Sequence, residues 1–318
     1  MPLEGYYVVD RRKDIYAVKG LIHPPSKVVA APKYLWTDSN YVKIPNTNIF
    51  EKIRREYLHE DDENYGTTIP AIPLSEVISV KKPTWNIKKD NTKLVGVALN
   101  LYREISQYSE LEEVGGFTGS LLLGFHNEES DIDIAIYGLN KGKELYEIMQ
   151  ELRRLEITHP LSKIHAEHFL KSREDTSETA KDWIEHETRK VLTGVYLNKV
   201  YNIKLVPYPS EIKESYGVKK IERLEKVEVI CRIYDDKLSI FTPNIYKVKV
   251  LNVFQGSDLA WYTLYLTSFR SRYCEQGKSG EIVRVRGTLE KINEKDSGSS
   301  YYRIIVGVDN VDYMLKQK

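Results

Sequence analysis

Residues 119–134 read Gly119-Ser120-Leu121-Leu122-Leu123-Gly124-Phe125-His126-Asn127-Glu128-Glu129-Ser130-Asp131-Ile132-Asp133-Ile134. A turn of small residues therefore precedes, by about ten positions, two aspartates in i, i+2 register within an apolar strand. Side chains alternate faces along a strand, so Asp131 and Asp133 point one way and the isoleucines point the other way, into a core. Two carboxylates held close together repel unless a cation lies between them. Their hard oxygen atoms suit Mg²⁺ or Mn²⁺, which leave coordination positions for phosphate groups.

This stretch resembles the signature of the nucleotidyltransferase superfamily, which has the polymerase-beta-like fold. That signature is a hydrophobic strand, a Gly-Ser turn, a short helix containing a glycine, and a Ser-Asp-x-Asp strand. The resemblance implies that Gly119 and Ser120 bind the triphosphate of an NTP and that Asp131 and Asp133 are the catalytic metal ligands. In the same loop, Ser130 and His126 are the further candidates for contact with the nucleotide.

The wider chain is similar to a group of predicted archaeal nucleotidyltransferases. Three segments carry that similarity: Ala17-Val18-Lys19-Gly20-Leu21-Ile22-His23-Pro24-Pro25, His186-Glu187-Thr188-Arg189-Lys190 and Gly280-Glu281-Ile282-Val283-Arg284-Val285-Arg286-Gly287-Thr288-Leu289-Glu290. These segments span most of the chain, but the similarity to this group does not identify a substrate.

The strand that should close the catalytic sheet departs from the family pattern. Active members usually carry a third carboxylate there, whereas this chain reads Tyr201-Asn202-Ile203-Lys204-Leu205. Asn202 can offer a carbonyl oxygen to a metal, but it is neutral and cannot act as a base. Glu187, on a predicted helix, is the other candidate for a third ligand. The departure leaves nucleotide binding in place and makes catalysis the open question.

The order of predicted elements indicates an α+β fold in three parts. Residues 1–85 form a β-rich region broken by prolines, and residues 86–210 form the nucleotidyltransferase domain. Residues 211–318 form a small β barrel or sandwich, for which an OB-like barrel is one candidate. Helices are predicted over Asn91–Tyr108, over Lys143–Leu155, and over Ser177–Leu192 with a cap at Thr176 or Ser177; Asp90 or Asn91 would cap the first.

Three other features of the sequence are candidate binding sites. The run from Lys81 to Lys89, which contains Trp85, is predicted to be a solvated linker, with nucleic-acid binding as the alternative. His165 and His168 share a helical spacing, but no further ligand completes a zinc set. In the C-terminal part, Trp261 and Tyr265 alternate with threonines on a predicted strand whose leucines point inward. They would either stack on single-stranded nucleic acid beside nearby arginines or pack against the catalytic domain. The arginines are Arg270, Arg272, Arg284 and Arg286.

Composition excludes some classes of protein. The chain of 318 residues carries a net charge of +1 and two cysteines, Cys231 and Cys274, which show no disulfide or metal-binding pattern. It contains no apolar run of about 20 residues and no apolar signal core near Met1, so a cytoplasmic protein without a membrane anchor is expected. Residues 91–210 hold 14 Lys/Arg against 19 Asp/Glu, as expected around a cation site.

The sequence therefore predicts a metal-dependent transfer of a nucleoside monophosphate from an NTP to a hydroxyl group, with Mg²⁺ or Mn²⁺ as cofactor. RNA and protein are the candidate acceptors. Two alternatives remain open. One is a nucleotide- or RNA-binding regulator that kept the fold without catalysis, and the other is a subunit of a complex whose outer β domains are interaction surfaces.

Overall fold

The computed structural model describes residues 1–45, 52–88, 92–171 and 180–317. The fold is α+β, as the order of elements predicts, and strands outnumber helices in it. Its strands form three separate sheets, which follow one another along the chain. The prediction that residues 1–85, 86–210 and 211–318 are separate domains stays a prediction, although each sheet lies within one of these ranges.

The first sheet has seven strands in the order β5-β6-β3-β2-β1-β7, with β4 paired to β3. Pairing is antiparallel throughout, and β3 and β4 form a hairpin in which Tyr34 lies opposite Lys43. The strands are β1 Tyr7–Asp10, β2 Ile15–Val18, β3 Lys27–Thr37, β4 Asn40–Lys43, β5 Leu58–Asp62, β6 Thr67–Pro73 and β7 Val77–Lys81.

The second sheet has four strands in the order β10-β11-β9-β8, and it carries the aspartates. Strands β9 and β11 are parallel, whereas β8 and β10 pair antiparallel at the two edges. The strands are β8 Gly115–Phe117, β9 Ile132–Tyr137, β10 Thr193–Tyr196 and β11 Lys199–Val206. The described helices are α1 Lys93–Ser106, α2 Gly119–Leu123, α3 Leu139–Arg154, α4 Lys163–Lys171 and α5 Ala180–Arg189.

The third sheet closes on itself. Its strands pair in the order β12-β13-β14-β16-β15, β15 pairs back with β12, and β17 extends β15. This is a five-stranded barrel in which only β14 and β16, among these pairings, run parallel. The strands are β12 Lys219–Leu238, β13 Asn244–Gln255, β14 Thr263–Ser268, β15 Ile282–Glu294, β16 Ser300–Ile305 and β17 Tyr313–Lys316.

The two faces of the central sheet have different environments. Ile132, Ile134 and Ile136 are fully buried in a core with residues of α1 and α3, so the predicted alternation along this strand is confirmed. The opposite face, with Ala135 and Tyr137, packs against Leu3 and Leu21 of the N-terminal part. The face that bears Asp133 therefore points towards the N-terminal sheet.

Hydrogen bonds and apolar contacts fix the N-terminal sheet in this position. Thr118 Oγ1 donates to the carbonyl of Gly5 at 2.6 Å, and Tyr137 Oη donates to the carbonyl of Glu4 at 3.0 Å. Leu122, Leu123 and Phe125 pack against a cluster that includes Tyr7 and Tyr34. This apolar packing joins the short helix α2 to the first sheet.

Two predictions about aromatic residues are wrong. Trp85 is buried and stacks on Tyr102 with ring centroids 4.3 Å apart, because its indole N–H can donate to the carbonyl of Leu111 within the core. It therefore belongs to neither a solvated linker nor a nucleic-acid surface. Trp261 lies in a 3-10 turn, Asp258–Tyr262, ahead of β14 rather than within it.

The inward leucine face predicted for that strand is also wrong in part. Leu266 is buried, whereas Leu264 is 49% exposed. The register of β14 against β16 shifts between Thr263 and Tyr265, so the simple alternation fails at that point. Trp261 is exposed, but Tyr265 is partly covered by Tyr301, with ring centroids 5.5 Å apart.

The predicted helices begin and end within a few residues of the described ones. Helix α3 starts four residues before its predicted start, and the described part of the third predicted helix is Ala180–Arg189. The proposed caps Asp90, Asn91, Thr176 and Ser177 lie outside the described residues. Among the described helices, none is long and apolar enough to cross a membrane.

Candidate functional site

The two aspartates lie where β9 begins, beside the turn at Gly119. Gly119 has a φ of +62°, and a Cβ built on it would overlap the Oδ2 atom of Asp133. Only glycine meets both conditions without strain, because it alone lacks the Cβ. The amide of Thr118 also donates to the carbonyl of Asp133 at 2.9 Å. The Gly-Ser turn and the aspartate strand are therefore in direct contact.

Asn202 lies next to the aspartates on the neighbouring parallel strand. It is in register with Asp133, so both side chains project from the same face. Its Nδ2 donates to Asp131 Oδ2 at 3.3 Å, and its Oδ1 accepts from Thr193 Oγ1 at 3.4 Å. The three predicted residues thus converge on one point of the sheet.

The other candidate for a third ligand has a different partner. Glu187 is 1% exposed, and its carboxylate accepts from Lys190 Nζ at 2.7 Å. Lys190 also donates to the carbonyl of Arg272 at 2.5 Å. Glu187 lines the same cavity as Asp131 and Asp133, but within the described ranges no three His, Cys, Asp or Glu side chains are grouped to hold a metal.

The remaining predicted residues lie in the loop between α2 and β9. Ser130 accepts from the amide of Asn127 at 3.0 Å and donates to the Asn127 side chain at 3.1 Å, so its hydroxyl holds the loop. His126 is half-buried, and it is not one of the described residues that line the two cavities at the site. Ser120 lines the second of these cavities.

The two histidines that are weaker candidates for zinc lie in α4. His165 shares a hydrogen bond with Ser162 at 3.1 Å, and the side chain of His168 lies outside the described residues.

Two cavities meet at the aspartates. The first has a volume of about 400 Å³ and the second about 900 Å³. Both are lined by Gly119, Asp131 and Asp133, and by Lys33 and Lys43 of the N-terminal hairpin. The first cavity also includes Asn202, and the second also includes Ser120.

Electrostatics at the aspartates favour a positive partner. Burial and the neighbouring Asp131 carboxylate raise the pKa of Asp133 to about 6, against the opposing charges of nearby lysines. Burial, together with Lys19 and Lys43, lowers the pKa of Lys33 to about 8. Opposite charges are thus concentrated in a partly desolvated space, as is common at functional sites.

Aromatic side chains form one wall of the second cavity. Phe125 lies with its ring centroid 4.8 Å from that of Tyr34 and 5.0 Å from that of Tyr41. Trp36 contacts Tyr41 with centroids 4.9 Å apart. All four rings line the cavity.

Sequence reasoning missed the N-terminal contribution to the site. The hairpin residues, the lysines and the aromatic wall come from a segment about a hundred residues before the aspartates. Two signals were present in the sequence, namely Lys19 inside the first segment that resembles the archaeal group and Phe125 inside the aspartate stretch. Neither signal indicated which parts of the chain meet.

Comparison with known proteins finds a relative of similar length. The chain is 28% identical over 318 residues to the uncharacterized protein MJ1086 of Methanocaldococcus jannaschii, an overlap that covers 92% of this chain and 91% of that protein. The relative is archaeal, which agrees with the predicted similarity to archaeal proteins. No family model matches the chain. No solved structure matches it either.

Proposed function

We propose that this protein is a metal-dependent nucleotidyltransferase that transfers a nucleoside monophosphate from an NTP to a hydroxyl group. The observation that carries the proposal is the contact between Gly119 and Asp133, with Asp131 beside them and two cavities that share these residues. A polyphosphate in one cavity and an acceptor in the other would meet at the two carboxylates. The arrangement agrees with the superfamily signature in the sequence.

The oxygen donors at this point fit a single divalent cation. Asp131 and Asp133 supply two carboxylates, and Mg²⁺ or Mn²⁺ commonly binds through one or two carboxylates plus substrate phosphates. The amide oxygen of Asn202 accepts from Thr193 instead, so Asn202 would join this set only after its amide rotates. Such a cation, when bound, would neutralise charge on the phosphates and on the departing pyrophosphate. The protein's own task is then to position the two substrates.

Lysines of the N-terminal hairpin are suited to holding the triphosphate. Lys33 and Lys43 line both cavities and so lie where the two spaces meet at the aspartates. Ser120 offers a hydroxyl from the second cavity. Lysine ammonium groups are compact positive charges that bind phosphate groups without a fixed geometry. We assign the triphosphate to the second cavity, against these residues.

The aromatic wall of the same cavity is suited to a nucleobase. Every base has a π face, and stacking on an aromatic ring contributes about 1–3 kcal/mol per base. Trp36 and Tyr41 are only partly buried, so their rings are accessible from the cavity. The base would therefore stack on the β3–β4 hairpin while the phosphates extend towards Gly119.

A non-catalytic nucleotide-binding protein is the second candidate, and Asn202 favours it. This neutral amide occupies the position in register with Asp133, and its Nδ2 points at Asp131. An amide adds no negative charge and accepts no proton. Nucleotide binding needs only the turn, the lysines and the aromatic wall, so it would survive without transfer.

The first experiment measures binding of each of the four NTPs by calorimetry, with Mg²⁺ or Mn²⁺. Asp131→Asn and Asp133→Asn should each weaken metal-dependent binding at least about tenfold, since changes even to the groups around a metal ligand cost about 10–100-fold. Asp296→Asn, in the loop between β15 and β16, is the control and should bind like the wild type. If no NTP gives a heat of binding in the presence of metal, the proposal is wrong.

The second experiment separates the enzyme from the binding protein by following transfer from α-labelled NTP. If Asn202 occupies the position where the third carboxylate is missing, Asn202→Asp should raise transfer, because it adds a negative oxygen beside Asp133. Glu187→Gln should leave metal-dependent NTP binding unchanged in whatever fraction stays folded, because Lys190 already holds that carboxylate. A protein that binds NTP but transfers no label, in both the wild type and Asn202→Asp, would be the non-catalytic binder.

A further inference from the structure

The two cavities differ in what they add to the shared aspartates. Ser120 and the aromatic wall line the second cavity, whereas Asn202 and Lys204 line the first. If the proposed function is right and the nucleotide occupies the second cavity, the first cavity is left for the group that accepts the nucleoside monophosphate. The identity of the acceptor can then be inferred from the walls of the first cavity.

The first cavity has the dimensions of a small-molecule site. Its volume of about 400 Å³ lies within the range of roughly 300–1,000 Å³ typical of such sites. Its walls come from all three parts of the chain: Glu4 and Lys19 from the N-terminal part, Asn202 from β11, and Arg272 from the turn ahead of β15. A polynucleotide strand instead needs an open groove that follows its backbone. A cavity of this size, lined by all three parts of the chain, favours a compact acceptor.

The charges in this cavity favour an anion. Apart from the two aspartates, and from Lys33 and Lys43, which are assigned to the triphosphate, four basic side chains line it against three carboxylates. The carboxylates are Glu4, Glu187 and Glu275, and the basic residues are Lys19, Lys190, Lys204 and Arg272. A divalent cation would offset the aspartates, so the remaining walls keep an excess of positive charge.

Two of these lysines share one carboxylate. Lys204 Nζ lies 2.6 Å from Glu4 Oε1, and Lys19 Nζ lies 3.9 Å from the same atom. Each ammonium has three N–H donors, so both lysines keep donors for partners beyond Glu4.

The position of Lys204 sets the length of the acceptor. It follows Asn202 by two residues on β11, so the two side chains share a face about 7 Å apart along the strand. We propose that the first cavity binds a small acceptor that carries both a hydroxyl group and a phosphate or carboxylate. The anionic group would bind Lys204 and Lys19, and the hydroxyl would reach the aspartates.

The transfer step balances with these two substrates alone. The acceptor hydroxyl oxygen attacks the α-phosphorus and forms a new P–O bond. The bond from that phosphorus to the oxygen bridging to the β-phosphate breaks, and pyrophosphate leaves with the electron pair. The hydroxyl proton passes to water, and nothing is oxidised or reduced.

The test measures binding of inorganic phosphate and of acetate to protein already saturated with Mg²⁺ and a non-hydrolysable α,β-methylene NTP. The wild type should bind at least one of these anions, and the one it prefers shows whether the acceptor is phosphorylated or carboxylated. Lys204→Met should weaken that binding at least about tenfold, the effect of losing a charged hydrogen bond. Lys219→Met is the matched control, because Lys219 makes a 2.6 Å pair with Glu214 outside the cavity.

A second variant tests the same anion site at a more exposed side chain, where misfolding is less of a concern. Lys19→Gln changes a side chain that is 48% exposed, and it should also weaken anion binding while leaving NTP binding unchanged. If the wild type binds NTP but neither anion, the small-acceptor inference is overturned and the proposed function stands. Anion binding without NTP binding would leave the anion site standing and overturn the proposed transfer. Transfer of label to an RNA oligonucleotide would overturn the small-acceptor inference.

Discussion

At the scale of single residues, Gly119 shows why the turn and the aspartates act as one unit. Its left-handed backbone and its contact with Asp133 are two separate constraints. We predict that Gly119→Ala abolishes metal-dependent NTP binding, because the added methyl group must displace the Asp133 carboxylate. Stability should also fall by more than the roughly 1–2 kcal/mol that a left-handed conformation costs an ordinary residue. Calorimetry and chemical denaturation measure the two effects.

Gly124 supplies the matched control for this substitution. Its φ is +73°, but a Cβ built on it meets no atom within 4 Å. Gly124→Ala should therefore cost only the backbone strain and should keep NTP binding. Equal loss of binding in both variants would mean that backbone conformation, and not contact with Asp133, explains the glycine in the Gly-Ser turn.

The raised pKa of Asp133 makes a prediction about stability and pH. A carboxyl group whose pKa is about 6 in the folded protein and near its ordinary value of 3.8 in the unfolded chain takes up a proton first in the folded state. Its contribution to stability therefore improves as pH falls from about 7 to about 4. In metal-free protein, Asp133→Asn should raise the thermal midpoint at pH 8, because it removes a buried charge beside Asp131.

The pH dependence separates this electrostatic effect from a change in packing. As the pH is lowered from 8 to 4.5, the advantage of Asp133→Asn over the wild type should shrink, because the wild-type carboxyl becomes neutral as well. Thermal unfolding in EDTA at several pH values is the measurement. An advantage of the same size at both ends of this range would show that the substitution acts through packing.

At the scale of elements, the β3–β4 hairpin should determine affinity for the nucleobase. We predict that Trp36→Ala weakens NTP binding about tenfold, since a stacked base is worth about 1–3 kcal/mol. Trp36→Phe should restore most of the affinity, because it keeps an aromatic face. Titration of each variant with the preferred NTP measures the change.

Trp261 provides the control for the hairpin tryptophan. It is 47% exposed on the C-terminal barrel, away from the residues that line either cavity. Trp261→Ala should leave NTP affinity unchanged. A matching loss in both variants, or no loss in Trp36→Ala, would move the base away from the hairpin.

Elements whose pattern is local were predictable from the sequence. The alternation of Asp131, Ile132, Asp133 and Ile134 follows from strand geometry, and it fixed both the core face and the site face of β9. The position of Asn202 on the adjacent strand also followed from the order of elements. Lys33 and Trp36 were not predictable as site residues, because their place depends on the docking of one sheet onto another. No short-range pattern encodes such long-range contacts.

Leu264 and Trp85 show two further limits of sequence patterns. A register shift in β14 exposes Leu264, and an irregularity of one residue is invisible to a rule of strict alternation. The lysines that precede Trp85 predict a solvated segment, yet Trp85 stacks on Tyr102 in the core. In both cases tertiary packing overrides the local signal.

At the scale of the whole molecule, the parts are tied by buried contacts that cross the predicted domain boundaries. Glu275 accepts from the amides of Val191 at 2.8 Å and Leu192 at 2.9 Å, just ahead of β10. Phe241 lies in the core of the central sheet, where a Cβ on Gly142 of α3 would overlap its ring. The C-terminal part therefore completes the core under the aspartates.

The last prediction follows from these contacts. A fragment of residues 86–210 should show no cooperative thermal unfolding, because it lacks Phe241 and Glu275 and begins one residue after Trp85. Loss of a buried phenylalanine alone costs about 3–5 kcal/mol, which is a large share of the 5–15 kcal/mol that stabilises a typical protein.

In the full chain, Phe241→Ala should lower the free energy of unfolding by a similar amount. Phe254→Ala, a change on the exposed side of the barrel, should cost much less. Circular dichroism on heating measures each variant. Cooperative unfolding of the fragment near the midpoint of the full chain would instead show that the aspartate sheet folds independently, since only a self-sufficient core unfolds as one unit.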